Sequence, residues 1–255
     1  MARTRARGQL IVAQINDKLD VAPREAVDTD SLLGAKALKS TINVTGLCSR
    51  DATGCLDRYR AKTTDIENQL RENKVLLERY RALYHYPYFH ETLKLRYYAP
   101  LFYDPGSVSS LASAEHALHA LRGDPLLALR RLHDDTQFWR RILIDTRGLV
   151  GKMIAVATIH RNAQLTSEIV ARYPADKAAL GLATQALLPL TDQERDLTKV
   201  YRNEFATNMH LSTTLLRRAA GTIRGPAFDM HHRIPVGLHH RQTHHDLRFQ
   251  APSNY

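Results

Sequence analysis

Residues 124–174 read DPLLALRRLHDDTQFWRRILIDTRGLVGKMIAVATIHRNAQLTSEIVARYP and include the single tryptophan, Trp139. Asp124 followed by Pro125 is a helix start. The carboxylate can accept from free amides of the first turn, and proline at the first helical position gives up no donor the helix needs. Leu126, Leu129, Leu132, Trp139, Ile142 and Leu143 then recur at helical spacing, while Arg130, Arg131, Asp134, Arg140 and Arg141 fill most of the remaining circumference. This pattern predicts an amphipathic helix with one buried stripe. Gly148 interrupts it. Beyond that point Leu149, Met153, Val156 and His160 fall on one line, with Ile154 and Ala157 beside it. Gly151, Ala155 and Ala157 are small enough to admit a neighbouring helix. Pro174 ends the run, because proline lacks an amide donor and pushes the preceding residue out of helical geometry. Two helices, or one helix broken near Gly148, fit equally well.

Upstream, Leu111, Ala112, Glu115, Leu118 and Leu121 make another helical face that stops at Gly123. Glycine past a last turn, followed at once by Asp-Pro, predicts a tight joint between two helices, which must then pack close to antiparallel.

The two cysteines, Cys48 and Cys55, flank a polar, glycine-containing loop, SRDATG. Two such residues can close a small disulfide loop in an oxidising compartment; the other reading is a pair of unrelated reduced thiols. No further ligands stand nearby to complete a zinc site. From Cys55 to Tyr84 the spacing of Ile66, Leu70, Val75, Leu76, Tyr80 and Leu83 predicts one long helix. Residues 84–103, YHYPYFHETLKLRYYAPLFY, crowd aromatics and prolines together. They read as a non-helical crossover over helix ends, or as the lining of a ligand groove. Past Pro174 a short helix is expected over Ala178–Leu188. Thr191-Asp192-Gln193-Glu194 is a capping box, expected to open a helix through Leu197, Val200, Tyr201, Phe205, Met209 and Leu211 to about Arg218.

Signatures of chemistry are few. Glu115, His116 and His119 share a helix but lack the spacing of a zinc-protease motif. His160 ends an apolar line and reads as a core histidine. Asp134-Asp135 lacks the further carboxylate of an acidic metal–phosphate motif. Gly148–Lys152 resembles the end of a phosphate loop, but the first glycine is misplaced and Met153 stands where a hydroxyl must hold magnesium. There is no Gly-x-Ser-x-Gly and no nucleophile with an evident base. Asn43-Val44-Thr45 matches a glycosylation acceptor only as a three-residue pattern. His231, His232, His239, His240, His244 and His245 supply imidazoles without a spacing that shapes a site. No catalytic, cofactor or metal residues are therefore assigned. The site residues proposed are the disulfide candidates Cys48 and Cys55.

Composition sets further bounds. The chain has 255 residues, 44% of them hydrophobic, with a formal charge of +10. No apolar run approaches the roughly 18 residues of a membrane span. The N-terminal LIVAQI is too short for the core of a signal peptide. The basicity sits at the ends, in Arg3, Arg5 and Arg7 and in the arginines from Arg217 onward, so the body is near balance. Nucleic acid is accordingly not the expected partner; a protein is.

Cys48 and Cys55 ahead of LLERYRAL (76–83) and YPYF (86–89), then DTQFWRRIL (135–143), LVGKMIAVA (149–157) and LTDQER (190–195), resemble a family of uncharacterised proteobacterial helical proteins. The resemblance spans Cys48–Leu216. It implies an envelope location, an oxidised Cys48–Cys55 pair and a helical body, and it carries no catalytic motif. The family's N-terminal anchor is not visible here, and the His-rich tract is foreign to it.

The expected architecture is all-α, of seven to nine helices in antiparallel hairpins, arranged like a short solenoid. The expected organisation is a weakly structured segment over 1–47, a helical domain over 48–218, and a basic His-rich tail over 219–255. The leading function is a non-enzymatic, envelope-associated interaction or scaffold protein using a groove beside 84–103. The alternatives are a hydrolase or small-ligand enzyme with its site beside 84–103, and a nucleic-acid-associated basic protein. A cytoplasmic location is the alternative to the periplasm.

Overall fold

A computed structural model describes residues 9–10, 13–14, 16–17, 40–48, 53–89, 91, 105–173 and 177–222. Among them the chain is all-α, with no strand. The helices are α1 (Cys55–Ala61), α2 (Thr63–Glu72), α3 (Lys74–Ala82), α4 (Pro105–Leu121), α5 (Pro125–Asp145), α6 (Leu149–Arg172), α7 (Lys177–Ala186), α8 (Asp192–Arg195) and α9 (Thr198–Thr222), with 3-10 turns at Val44–Gly46 and Leu83–His85. Two compact units divide the chain, Met1–Thr213 and Thr214–Tyr255; the packing described below belongs to the first. The His-rich tract, most of the N-terminal segment, and residues 90 and 92–103 lie outside the described residues.

The α4–α5 hairpin forms as its sequence predicts. Gly123 adopts φ +91°, a left-handed conformation that glycine reaches without a Cβ penalty. Its amide donates to Ala120 O and that of Asp124 to His119 O, both at 3.0 Å, so α4 ends in paired reverse-turn bonds that satisfy its last carbonyls. Asp124 then accepts from Leu127 N at 2.9 Å, which starts α5. The Gly148 region also resolves: α5 and α6 are two helices. Gly151 is required where they meet, since a Cβ there would lie 2.4 Å from Thr146 Oγ1.

α5 is the centre of the body, packing on α4, α6 and α7, while α4 and α6 also touch each other; α1, α2 and α3 lie against α4. The shared core contains Leu111, Leu118, Leu129, Leu132, Trp139, Leu143, Leu165 and Ile169, joined by Tyr59, Ile66, Leu77 and Tyr80.

Three expectations need correction. The segment Cys55–Tyr84 is three helices and a 3-10 turn, broken at Lys62 and Asn73. Asn73 stabilises its break through its own side chain, donating from Nδ2 to Gln69 O and accepting from Thr41 N. The breaks reset the helical phase, so Val75 and Leu83 are exposed and Leu77 is buried instead. The Thr191 capping box does form, but α8 lasts only one turn. The chain leaves helical geometry at Asp196, whose carboxylate accepts from Thr198 N at 2.8 Å as α9 begins. Finally, the line Leu149, Met153, Val156 and His160 faces outward, so His160 is an exposed residue and not part of the core.

Candidate functional site

The inner face of α6 is unusually polar: Lys152, Ala155, Thr158, Arg161, Asn162, Leu165, Thr166 and Ile169 are all buried. At its middle a hydrogen-bonded relay crosses the bundle. Arg161 donates from Nη1 to Ser110 Oγ and from Nη2 to Ser109 Oγ, both at 2.8 Å, and from Nε to Ser113 Oγ at 3.2 Å. Ser113 Oγ donates to Asn162 Oδ1 at 3.0 Å. Asn162 Nδ2 donates to Asp135 Oδ2 at 2.8 Å. The other carboxylate oxygen of Asp135 accepts from Tyr80 Oη at 2.5 Å and Tyr84 Oη at 2.8 Å. Tyr80 Oη in turn accepts from Trp139 Nε1 at 2.7 Å. A serine row on α4 therefore serves the guanidinium, and a tyrosine pair near the end of α3 serves the carboxylate.

Burial pushes the Asp135 carboxyl up from its usual range, against the opposing pull of its three hydrogen-bond donors and of Arg161. Burial also pushes the Tyr80 and Tyr84 phenols up, and the Asp135 charge adds to both. These phenols stay protonated and act as fixed donors. His116, on α4, is fully buried, and neither ring nitrogen finds a hydrogen-bond partner. Burial, reinforced by Arg81, Arg131 and His119, holds its pKa well below the ordinary imidazole value, so it packs as a neutral ring. The core histidine is thus His116 rather than His160.

A second cluster fastens α7–α8 to α5. Arg140 donates from Nε to Glu194 Oε1 at 2.6 Å and from Nη2 to Glu194 Oε2 at 2.8 Å. Two more of its hydrogens reach Leu188 O and Pro189 O. Burial works to raise the Glu194 pKa, but the bonds from Arg140 and Thr191 prevail and hold it below the usual glutamate value. Lys152 Nζ bridges Leu143 O and Asp196 O at the same end of the bundle.

The proposed site residues Cys48 and Cys55 form a disulfide, with Cα atoms 5.7 Å apart. Both are almost fully buried, so the bond is a staple and not an accessible redox centre. Tyr59 Oη accepts from Cys48 N at 3.2 Å. Glu168 on α6 holds the other side of the loop: its carboxylate accepts from Gly54 N, Cys55 N and Leu56 N at 2.8, 3.0 and 2.7 Å. A carboxylate on the first amides of α1 is well placed both for hydrogen bonding and for the helix dipole. Replacing both cysteines by alanine is expected to lower stability by roughly 2–3 kcal/mol, the cost of reopening so short a loop in the unfolded chain. Urea denaturation of the oxidised and double-alanine proteins measures it. Glu168→Ala is expected to cost about 1–2 kcal/mol through the lost cap. Faster hydrogen exchange confined to the first turn of α1 would locate that loss.

A cleft of about 430 Å³ lies alongside, lined by Thr53, Gly54, His160, Ala163, Gln164, Ser167 and Glu168. His160 is its one imidazole, and Glu168 is already committed to the α1 amides. Among the described residues no group of three or more His, Cys, Asp or Glu side chains could hold a metal ion. The metal question for His231–His245 falls on residues outside those described. Among the described residues no helix is long and apolar enough to cross a membrane.

Large apolar side chains point outward in two places. On α6, Leu149, Val150, Met153 and Val156 are between 42% and 58% exposed. On α9, Tyr201, Phe205 and Met209 follow one another at one-turn spacing and are between 52% and 68% exposed, while Val200 faces the core. In the aromatic segment Tyr84 packs against Tyr80 and Phe138, whereas Tyr86 and Tyr88 are exposed.

Periodicity alone misses Asp135, Arg161, Glu168 and Arg140, because a charged residue is ordinarily assigned to the solvent face. A legible signal does exist on α6. Lys152, Thr158, Arg161, Asn162 and Thr166 share the arc of Ala155, Leu165 and Ile169, opposite an apolar arc over Leu149–Ser167 without permanent charge. With the geometry established, comparison of the chain with family models, curated proteins and solved structures returns no match.

Proposed function

We propose that the protein is a non-catalytic helical scaffold of an oxidising, envelope-associated compartment, and that it presents the outer face of α9 to a protein partner. The observation that carries this reading is the stripe Tyr201, Phe205, Met209, which sits more than half exposed on a helix already anchored by Val200. Aromatic and methionine side chains are the types enriched at the centres of protein interfaces, and arginine at their hot spots. Lys199 and Arg202 lie on the same helix, and Lys199 pairs with Asp145. Arg202 is exposed and pairs with no carboxylate among the described residues, so the rim favours an acidic partner surface.

The compartment rests on the Cys48–Cys55 disulfide, since such bonds persist where the surroundings are oxidising. The resemblance expected from the sequence of Cys48–Leu216, to envelope-located helical proteins, would imply the same placement. Two measurements test the proposal. Acid quenching of the cells, then thiol alkylation in denaturant before any reduction, should leave both cysteines unlabelled; free thiols there would overturn the compartment. A photoreactive phenylalanine analogue at position 205 should give a discrete adduct with a second protein, lost on Tyr201→Glu. Absence of any adduct with full-length protein present at normal abundance would overturn the interface.

A further inference from the structure

The first half of α6 turns its apolar side chains to solvent and its charges inward. Leu149, Val150, Met153 and Val156 are exposed, and Ala157 is half-buried between them. Between Leu149 and Ser167 the permanently charged residues are Lys152 and Arg161, and both are buried on the opposite face. A surface helix normally shows the reverse. We propose that this face is the contact of a symmetric dimer, α6 against α6 of a second copy.

Three observations select a second copy over a different partner. First, a chain of formal charge +10 would draw a foreign partner through acidic groups meeting its basic ones, whereas the side chains of this stripe carry no charge, and the Glu204 carboxylate at its head is taken up by the Leu149 amide at 2.9 Å. Second, an uncharged stripe can lie against its own image with no like charges opposed, as a two-fold interface demands. Third, the stripe is self-complementary about Met153. In an antiparallel pairing Met153 faces Met153, Leu149 faces Ala157, and Val150 faces Val156, so each large side chain meets a neighbour of comparable or smaller size. The Arg161 guanidinium and Lys152 ammonium point into the body, and the carboxylate of Glu168 is held on α1, so none of them is presented to the second copy.

The salt dependence is distinctive. Two chains of the same sign repel at long range, and salt screens that repulsion without weakening an apolar contact. Dimerisation should therefore tighten several-fold as salt rises, opposite to the behaviour of a partner bound through charge.

Sedimentation velocity on the full oxidised chain, at low and at high sodium chloride, reads this directly. A monomer–dimer equilibrium in the micromolar range, shifted toward dimer by salt, is expected; Met153→Glu should weaken it by about 100-fold or more. Met153 is outward-facing, so this variant should keep its helical circular dichroism. Met153→Cys under mild oxidation should give a covalent dimer, because that position lies on the two-fold axis, while Phe205→Glu should leave the dimer intact. A chain that stays monomeric at about 100 μM in both salts, a dimer weakened by salt, or one indifferent to Met153→Glu would each overturn the proposal. A dimer sensitive to Phe205→Glu instead would place the contact on α9 and overturn it likewise. The α9 reading fails or stands separately, through the adduct at position 205.

Discussion

Asp135→Ala lowers the free energy of unfolding by about 3–5 kcal/mol, the largest effect expected of any single side-chain truncation in the relay. The variant strands two buried donors, Tyr80 Oη and Asn162 Nδ2, and the half-buried Tyr84 Oη, and each unpaired buried group costs about 1–3 kcal/mol. Relief of the cost of burying a carboxylate offsets part of that sum. Set against a typical stability of about 5–15 kcal/mol, this leaves a marginal protein. Urea denaturation should show a lower midpoint with an unchanged slope. Asp135→Asn, which keeps an acceptor, should cost about half as much.

The same carboxyl gives a pH signature opposite to ordinary acid denaturation. Its folded pKa is raised above the unfolded value of 3.8. As pH rises past 3.8 the unfolded chain ionises first, so this contribution to stability is full below 3.8 and is lost on the way up through the folded pKa. His116 acts in the other sense. Its folded pKa is held below 6.5, so its contribution is full above 6.5 and is lost as pH falls. Asp135→Asn should remove the first dependence and His116→Leu the second, each seen as a flatter plot of unfolding free energy against pH.

Arg140→Met is the second large effect, expected at about 3–5 kcal/mol. The substitution leaves the buried Glu194 carboxylate without its two guanidinium bonds, and Leu188 O and Pro189 O without donors. The penalty comes mainly from the abandoned charge, so removing that charge as well should restore most of the loss. The double variant Arg140→Met, Glu194→Leu is expected within about 1–2 kcal/mol of the parent, because buried ion pairs replaced by apolar groups are often nearly neutral. Thermal unfolding of the parent, both single variants and the double variant makes the comparison. Loss should begin with α7–α8, which these contacts hold against α5.

The parts of the fold legible in the sequence are those where local chemistry and packing agree. Gly123-Asp124-Pro125 dictated a hairpin because the glycine, the cap and the proline each act within one turn. Thr191–Glu194 dictated a cap for the same reason. The parts that failed depend on distant partners. Nothing local announces that Asn73 will reach Thr41 and break a helix, or that Glu168 will cross to the amides of Gly54–Leu56. The disulfide could be named as a candidate from spacing, but its burial under Tyr59 and Glu168 depends on α6. On α6 itself the apolar line Leu149–Met153–Val156 was visible and its direction was not. The bundle already had Ser109, Ser110, Ser113 and Asp135 inside, so the polar arc of α6 satisfied more buried groups than the apolar arc could. That choice turned the apolar arc outward and created the surface on which self-association is proposed.

A double-mutant cycle between Asp135→Ala and Tyr80→Phe, by equilibrium urea unfolding, tests most directly whether a buried polar relay holds these helices together. A coupling energy of about 2–3 kcal/mol is expected for a short bond to a carboxylate shielded from water. Additive losses, with coupling indistinguishable from zero, would contradict it.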